Sequence, residues 1–176
     1  YHAESAWTWE RMALTRARVV AGPPALRRKV QAAIAEAVAS AVDPARVRAD
    51  AATMRARLLR DLPPDGPWDV KLRPGGQMEV EFVAQVLQLV HAKAHPKLCH
   101  PTTRIALARL AKAKLLPQED AALLIRADHL WRTVQGMLRI TVGRDAREVL
   151  PEASAHALLR ACARAGVDAI DTEALR

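Results

Sequence analysis

The segment Trp68-Asp69-Val70-Lys71-Leu72-Arg73-Pro74-Gly75-Gly76-Gln77-Met78-Glu79-Val80-Glu81-Phe82-Val83-Ala84-Gln85 gathers the residue types of this chain that could do chemistry. A lysine and two glycines stand just before a stretch of helical periodicity. That stretch is almost wholly apolar, with Val80, Phe82, Val83, Ala84, Val86, Leu87, Leu89 and Val90. At about 100° per residue, Gln77, Glu81, Gln85 and Gln88 fall on one stripe of it. A carboxylate in such a helix needs compensation, because an unpaired buried charge is costly. Two readings stay open. The stripe is solvated, or it faces a ligand or a neighbouring domain, with Lys71 binding phosphate or pairing with Glu81. Gly75-Gly76 permits close backbone approach to a ligand, or positive φ. The N–H groups that open the helix could hold an anion. Glu79 falls on the other side, where it complements the helix dipole.

A second polar segment is Trp7-Thr8-Trp9-Glu10, followed by Ala13, Ala17 and Arg18. Glu10, Ala13 and Ala17 share a face whose small residues allow close helix approach. Trp9 is read as a core residue, and Arg16 and Arg18 as solvated charges or phosphate contacts. His91 and His95 are four apart, but His95 precedes Pro96 and no carboxylate accompanies them, so no zinc site is expected. No Ser-His-Asp arrangement and no P-loop can be argued. Cys99 and Cys162 lack metal-ligand spacing and are read as reduced and buried.

These residues must be held by helices. The chain has 176 residues, enough for one domain with a real core, and is 51% hydrophobic but only 3% aromatic. Few stretches alternate with period 2, so the fold class is all-α. Short connections suggest an antiparallel bundle of six to seven helices over residues 3–165, with a short polar tail that should fray. The breaker and cap signals place helices over 3–21, 24–41, 44–61, 77–94, 101–114, 117–140 and 152–165. Gly22-Pro23-Pro24 stops the first helix, Asp43-Pro44 starts the third, and Gly166 caps the seventh. The whole of 1–176 is read as a single helical domain. It opens in helical sequence without an initiator methionine, as a fragment of something longer would.

The net charge of +8 suits nucleotide phosphates or an acidic protein partner. Nucleic acid is disfavoured, since the basic residues are scattered and one Phe and one Tyr give no stacking platform. There is no signal peptide and no apolar run of membrane-span length, so a cytoplasmic location and no membrane partner are expected.

Trp7-Thr8-Trp9-Glu10-Arg11-Met12-Ala13-Leu14-Thr15-Arg16-Ala17-Arg18-Val19-Val20-Ala21-Gly22 resembles the helix that follows the nucleotidyltransferase domain in glutamine synthetase adenylyltransferases. Asp69-Val70-Lys71, Gly75-Gly76 and Glu79-Val80-Glu81-Phe82-Val83-Ala84-Gln85 resemble that family's second signature. The two motifs stand in the family's order, and the likeness continues more weakly over most of the chain. PII-uridylyltransferases share the helical domain type. The resemblance implies a bifunctional parent enzyme with two similar halves. Each half joins a polymerase-β-type nucleotidyltransferase domain to a helical bundle. One half adds AMP from ATP to a tyrosine of glutamine synthetase, and the other removes it by phosphorolysis. Glutamine and the PII signal protein set the balance. The Trp7-Thr8-Trp9-Glu10 wording looks more like the second, adenylylating half, as does the end of the chain soon after the bundle.

The family's Gly-Ser and its Asp-x-Asp magnesium carboxylates do not occur here. The fragment is therefore expected to hold no catalytic residue, metal or cofactor of its own, while ATP and magnesium belong to the parent. By the resemblance, Lys71, Gly75, Gly76, Glu81 and Gln85 face the nucleotide cleft or an interdomain seam. Trp9, Glu10, Arg16, Arg18, Asp69 and Glu79 would support them. The expected partners are the enzyme's own nucleotidyltransferase domain, glutamine synthetase, PII and glutamine. The rival readings are a non-catalytic interaction module and a basic helical nucleic-acid binder.

Overall fold

The computed structural model describes residues 6–40, 43–143 and 149–175. Among them the chain is all-α, with no strand. The helices are α1 (Thr8–Leu14), α2 (Pro24–Ala39), α3 (Pro44–Asp61), α4 (Gln77–His91), α5 (Thr103–Lys112), α6 (Gln118–Thr141) and α7 (Glu152–Arg164). Two 3-10 turns, Pro96–Leu98 and Glu173–Leu175, complete the described elements.

Local chemistry explains most boundaries. Proline occupies the first position of α2 and α3, where its missing N–H is not needed. The Asp43 carboxylate accepts the Ala45 N–H at 3.0 Å and so caps α3. Glu119 and Asp120 stand in the first turn of α6, where the dipole favours acids. Gly166, with φ +82°, follows α7 as its left-handed exit.

The first helix is shorter than expected. It stops at Leu14 rather than running to residue 21, and residues 3–5 lie outside the described residues. The N–H groups of Thr15, Arg16 and Ala17 bond three residues back, to Met12, Ala13 and Leu14. The Thr15 hydroxyl also donates to the Met12 carbonyl at 2.7 Å. This tightened turn competes with helix continuation, and the β-branched pair Val19-Val20 does not resume it. Helix α4 likewise ends at His91, three residues early, because the chain turns before His95-Pro96.

The described chain divides into two compact units. The first comprises Tyr1–Ala56 and Glu81–Ile125, the second Arg57–Val80 and Arg126–Arg176. Each has its own core. In the first, Met12, Val38, Val47, Ala51, Leu89 and Ala92 pack together, with Ile34, Met54, Phe82 and Val86 around them. In the second, Trp68, Val70, Val134, Leu138, Leu150, Leu158, Cys162 and Leu175 do so. Burial of each large apolar side chain stabilises by about 1.5–3 kcal/mol relative to exposure. Leu175 belongs to this second core, so its position differs from the fraying expected of the tail. One apolar anchor outweighs the polarity of its neighbours.

Two more expectations need correction. Trp9 is 55% exposed rather than core. The buried arc of α1 centres on Arg11, Met12 and Thr15, and Trp9 lies outside it. Both cysteines are free thiols, but Cys99 is only half-buried while Cys162 is fully buried. Burial pushes both thiols above their ordinary values, with the Arg109 guanidinium opposing this at Cys99. Among the described residues no helix is long and apolar enough to cross a membrane.

The tightest steric point is Gly76. A Cβ there would lie 2.6 Å from the Val70 carbonyl oxygen and 2.7 Å from that of Arg73. At Gly75 the constraint is different: φ is +74°, but a Cβ would meet nothing within 4 Å. Gly76→Ala is therefore expected to cost about 2–3 kcal/mol as backbone overpacking. Gly75→Ala should cost about 1–2 kcal/mol from its left-handed backbone. Urea unfolding of the two variants tests this order, and a more damaging Gly75→Ala would contradict it.

Candidate functional site

The loop before α4 is built by its own polar side chains. Asp69 is its organiser. One carboxylate oxygen accepts the N–H groups of Lys71 (3.2 Å) and Leu72 (3.0 Å), and the other accepts that of Asp65 (3.2 Å). A short carboxylate closing its own backbone in this way is typical turn chemistry. Trp68 and Val70, buried on either side of it, anchor the loop in the second unit's core. Lys71, which follows Val70, is exposed.

The helix start is closed as well. The N–H groups of Gly76, Gln77, Met78 and Glu79 donate to the carbonyls of Arg73, Val70, Lys71 and Gly76, at 2.9–3.2 Å. These are the donors that a helix N-terminus leaves without intrahelical partners. The Gly75 N–H donates to the Glu79 carboxylate at 3.0 Å, so Glu79 both caps the loop and complements the dipole. An anion at this helix start would have to displace carbonyls that already hold the donors. The close approach that Gly76 permits is made by the loop's own carbonyl oxygens.

Two residues of this loop system escaped the sequence reading. The Arg73 guanidinium lies over the Trp131 ring, 5.7 Å from its centroid, in cation–π geometry. The Trp131 indole N–H donates to the Gly75 carbonyl at 3.0 Å. Trp131 lies on α6, far along the chain from the loop, so no local spacing announces the contact.

In the first unit, Glu81 is paired. It forms an ion pair with Arg16, whose side chain is 41% exposed against 13% for Glu81. The pair joins the two motif segments, which no sequence spacing connects. Arg16, which the sequence reading took as a solvated charge or a phosphate contact, supplies compensating charge to Glu81. The rest of the stripe in this unit is not solvated, since Gln85 and Gln88 are both buried. The Gln88 side-chain carbonyl accepts the His100 N–H at 2.7 Å and so ties down the turn after α4. Gln77, in the second unit, is also buried.

The remaining motif residues have local roles. The Glu10 carboxylate accepts the Trp7 N–H at 2.8 Å at the start of α1. Arg18 is exposed. Buried Arg11, which the sequence did not single out, donates to the Ser40 hydroxyl (2.6 Å) and carbonyl (3.2 Å) at the end of α2. The Thr8 hydroxyl bonds the Asp50 carboxylate. Among the described residues no group of three or more His, Cys, Asp or Glu could hold a metal ion.

The Arg16–Glu81 pair predicts a coupling. Its arginine is well solvated, so the pair itself is worth about 1 kcal/mol or less. Arg16→Met should cost more, about 1–3 kcal/mol, because it takes a charge-assisted partner from the largely buried carboxylate. Arg16→Met combined with Glu81→Gln should lose less stability than the two singles summed. A urea-unfolding mutant cycle measures this, and additive losses would show that the pair carries no coupling.

Comparison with known proteins follows the same residues. The family described as GlnD PII-uridylyltransferase matches residues 48–174. A bifunctional glutamine synthetase adenylyltransferase/adenylyl-removing enzyme of Rhodopseudomonas palustris (strain TIE-1) is 37% identical over 176 residues, all of this chain and 17% of that protein. The protein of the same name in Xanthobacter autotrophicus (strain Py2) is 41% identical over 166 residues, 94% of this chain and 16% of that protein. In Bradyrhizobium sp. (strain BTAi1) the identity is 37% over 175 residues, 99% of this chain and 17% of that protein. The chain thus spans about a sixth of the length of these curated relatives. With the family match running through α3 to the Glu173–Leu175 turn, and with both motif segments meeting at Arg16 and Glu81, the chain belongs to the GlnD PII-uridylyltransferase family and corresponds to a helical portion of proteins named bifunctional glutamine synthetase adenylyltransferase/adenylyl-removing enzyme.

Proposed function

We propose that this chain is the helical domain of an enzyme that transfers AMP from ATP to a tyrosine of glutamine synthetase and removes it by phosphorolysis. In that reading it follows a nucleotidyltransferase domain, in the adenylylating half, and works in the cytoplasm. Glutamine synthetase is the substrate, with glutamine and the PII protein as regulators. The observation that carries the reading is the Arg16–Glu81 pair, which links the two motif segments that the chain shares with the adenylyltransferase family.

The chemistry itself lies outside these residues. The chain has no Asp-x-Asp pair, so in this reading magnesium belongs to the nucleotidyltransferase domain. For ATP the fitting group is Lys71. It is exposed directly after buried Trp68 and Val70, with its backbone N–H held by the Asp69 carboxylate. A flexible cation on a fixed backbone suits a phosphate. Gly75 and Gly76 shape the loop that presents it, and Glu81 and Gln85 hold the line of α4 beside Arg16. The filled donors at the start of α4 favour a domain seam over a phosphate site for the two glycines.

In the full-length enzyme, Lys71→Met should lower kcat/KM for ATP about 10- to 100-fold, the worth of one charge-assisted contact, at unchanged Tm. Unaltered ATP kinetics would make Lys71 a solvated loop charge. The chain alone, incubated with labelled ATP, magnesium and glutamine synthetase, should transfer no label. Label above a protein-free blank would overturn the assignment of the chemistry to another domain.

A further inference from the structure

Helix α2 carries an apolar stripe at four-residue spacing: Leu26, Val30, Ile34 and Val38. Its C-terminal end is covered, since Val38 is buried in the first unit's core and Ile34 packs against it. Its N-terminal end is bare. Leu26 is 54% and Val30 40% exposed, and every residue from 21 to 33 is exposed. The stripe thus runs about two turns beyond the core that explains its other half.

Those two turns also carry Arg27, Arg28 and Lys29, and the first turn holds no acid. Cations at a helix N-terminus oppose the positive end of the dipole. Apolar residues left in water forgo their burial free energy. A surface bearing carboxylates beside apolar side chains would relieve both costs at once.

We propose that the N-terminal half of α2 is a docking face for an acidic, apolar-bearing segment of the chain's own full-length polypeptide. Relatives are about six times as long as this chain, so most of such a polypeptide lies outside residues 1–176. A second copy fits poorly. It would set Arg27, Arg28 and Lys29 against a chain that itself has net charge +8. A segment of the same polypeptide also meets the face at high effective concentration. The inference rests on the reading that the chain works within a longer enzyme.

The test uses that full-length enzyme with Leu26→Cys or Val30→Cys. Maleimide labelling of the new thiol is followed by peptide mass spectrometry and compared with the same thiol in urea. Labelling should be slowed about tenfold or more, as for a surface reached only through local opening. The slowing should be unchanged on dilution. It should be abolished in the background Arg27→Glu, Arg28→Glu, Lys29→Glu. Labelling at the unfolded rate would show an open face and overturn the proposal. Protection lost on dilution would assign the face to a second copy, and protection that survives charge reversal would remove the acidic partner. AMP transfer, assayed alongside, reports on the enzyme reading alone and does not enter the labelling result.

Discussion

Much of the motif region depends on how α4 begins. A helix start exposes four N–H donors, and here they are closed by carbonyls of the preceding loop and of Gly76 itself. This requires the 70–73 backbone to lie against the first turn of α4, which only a residue without a side chain at position 76 allows. Asp69 then shapes the loop from within, Glu79 holds Gly75, and Trp131 holds the Gly75 carbonyl from α6. Residues that read as a ligand cradle are first of all the means by which the chain satisfies its own backbone. A turn this fully bonded is also a firm base for its exposed cation, Lys71.

The polar line along α4 is largely buried, and its members need partners. Glu81 meets Arg16, and Gln88 meets the His100 N–H. Arg11 answers the same need at the end of α2, where this buried cation donates to the Ser40 carbonyl and hydroxyl. The first unit is therefore specified by charge-assisted contacts around an apolar centre. These contribute modestly to stability when made and cost considerably more when half removed.

The charge distribution follows a related logic. Cations with an internal role, Arg11 and Arg16, point at a carbonyl or a carboxylate, and Arg73 lies on an aromatic face. The cations of α2 instead flank apolar side chains that the described core leaves uncovered.

The helical class, and most helix boundaries, could be read from local signals because those signals are local in origin. Proline fixes its own φ, Asp43 caps its own helix, and Gly166 exits into a left-handed turn. The motif segments were legible too, since their residue types and spacing stand in the chain as written. Tertiary structure alone brought Arg16 to Glu81, because the two lie 65 residues apart. It likewise decided that Trp9 faces outward, that Leu175 packs into a core and that Trp131 braces the Gly75 loop. Burial and long-range pairing depend on which surfaces meet, and periodicity along one segment carries no information about the segment that will cover it.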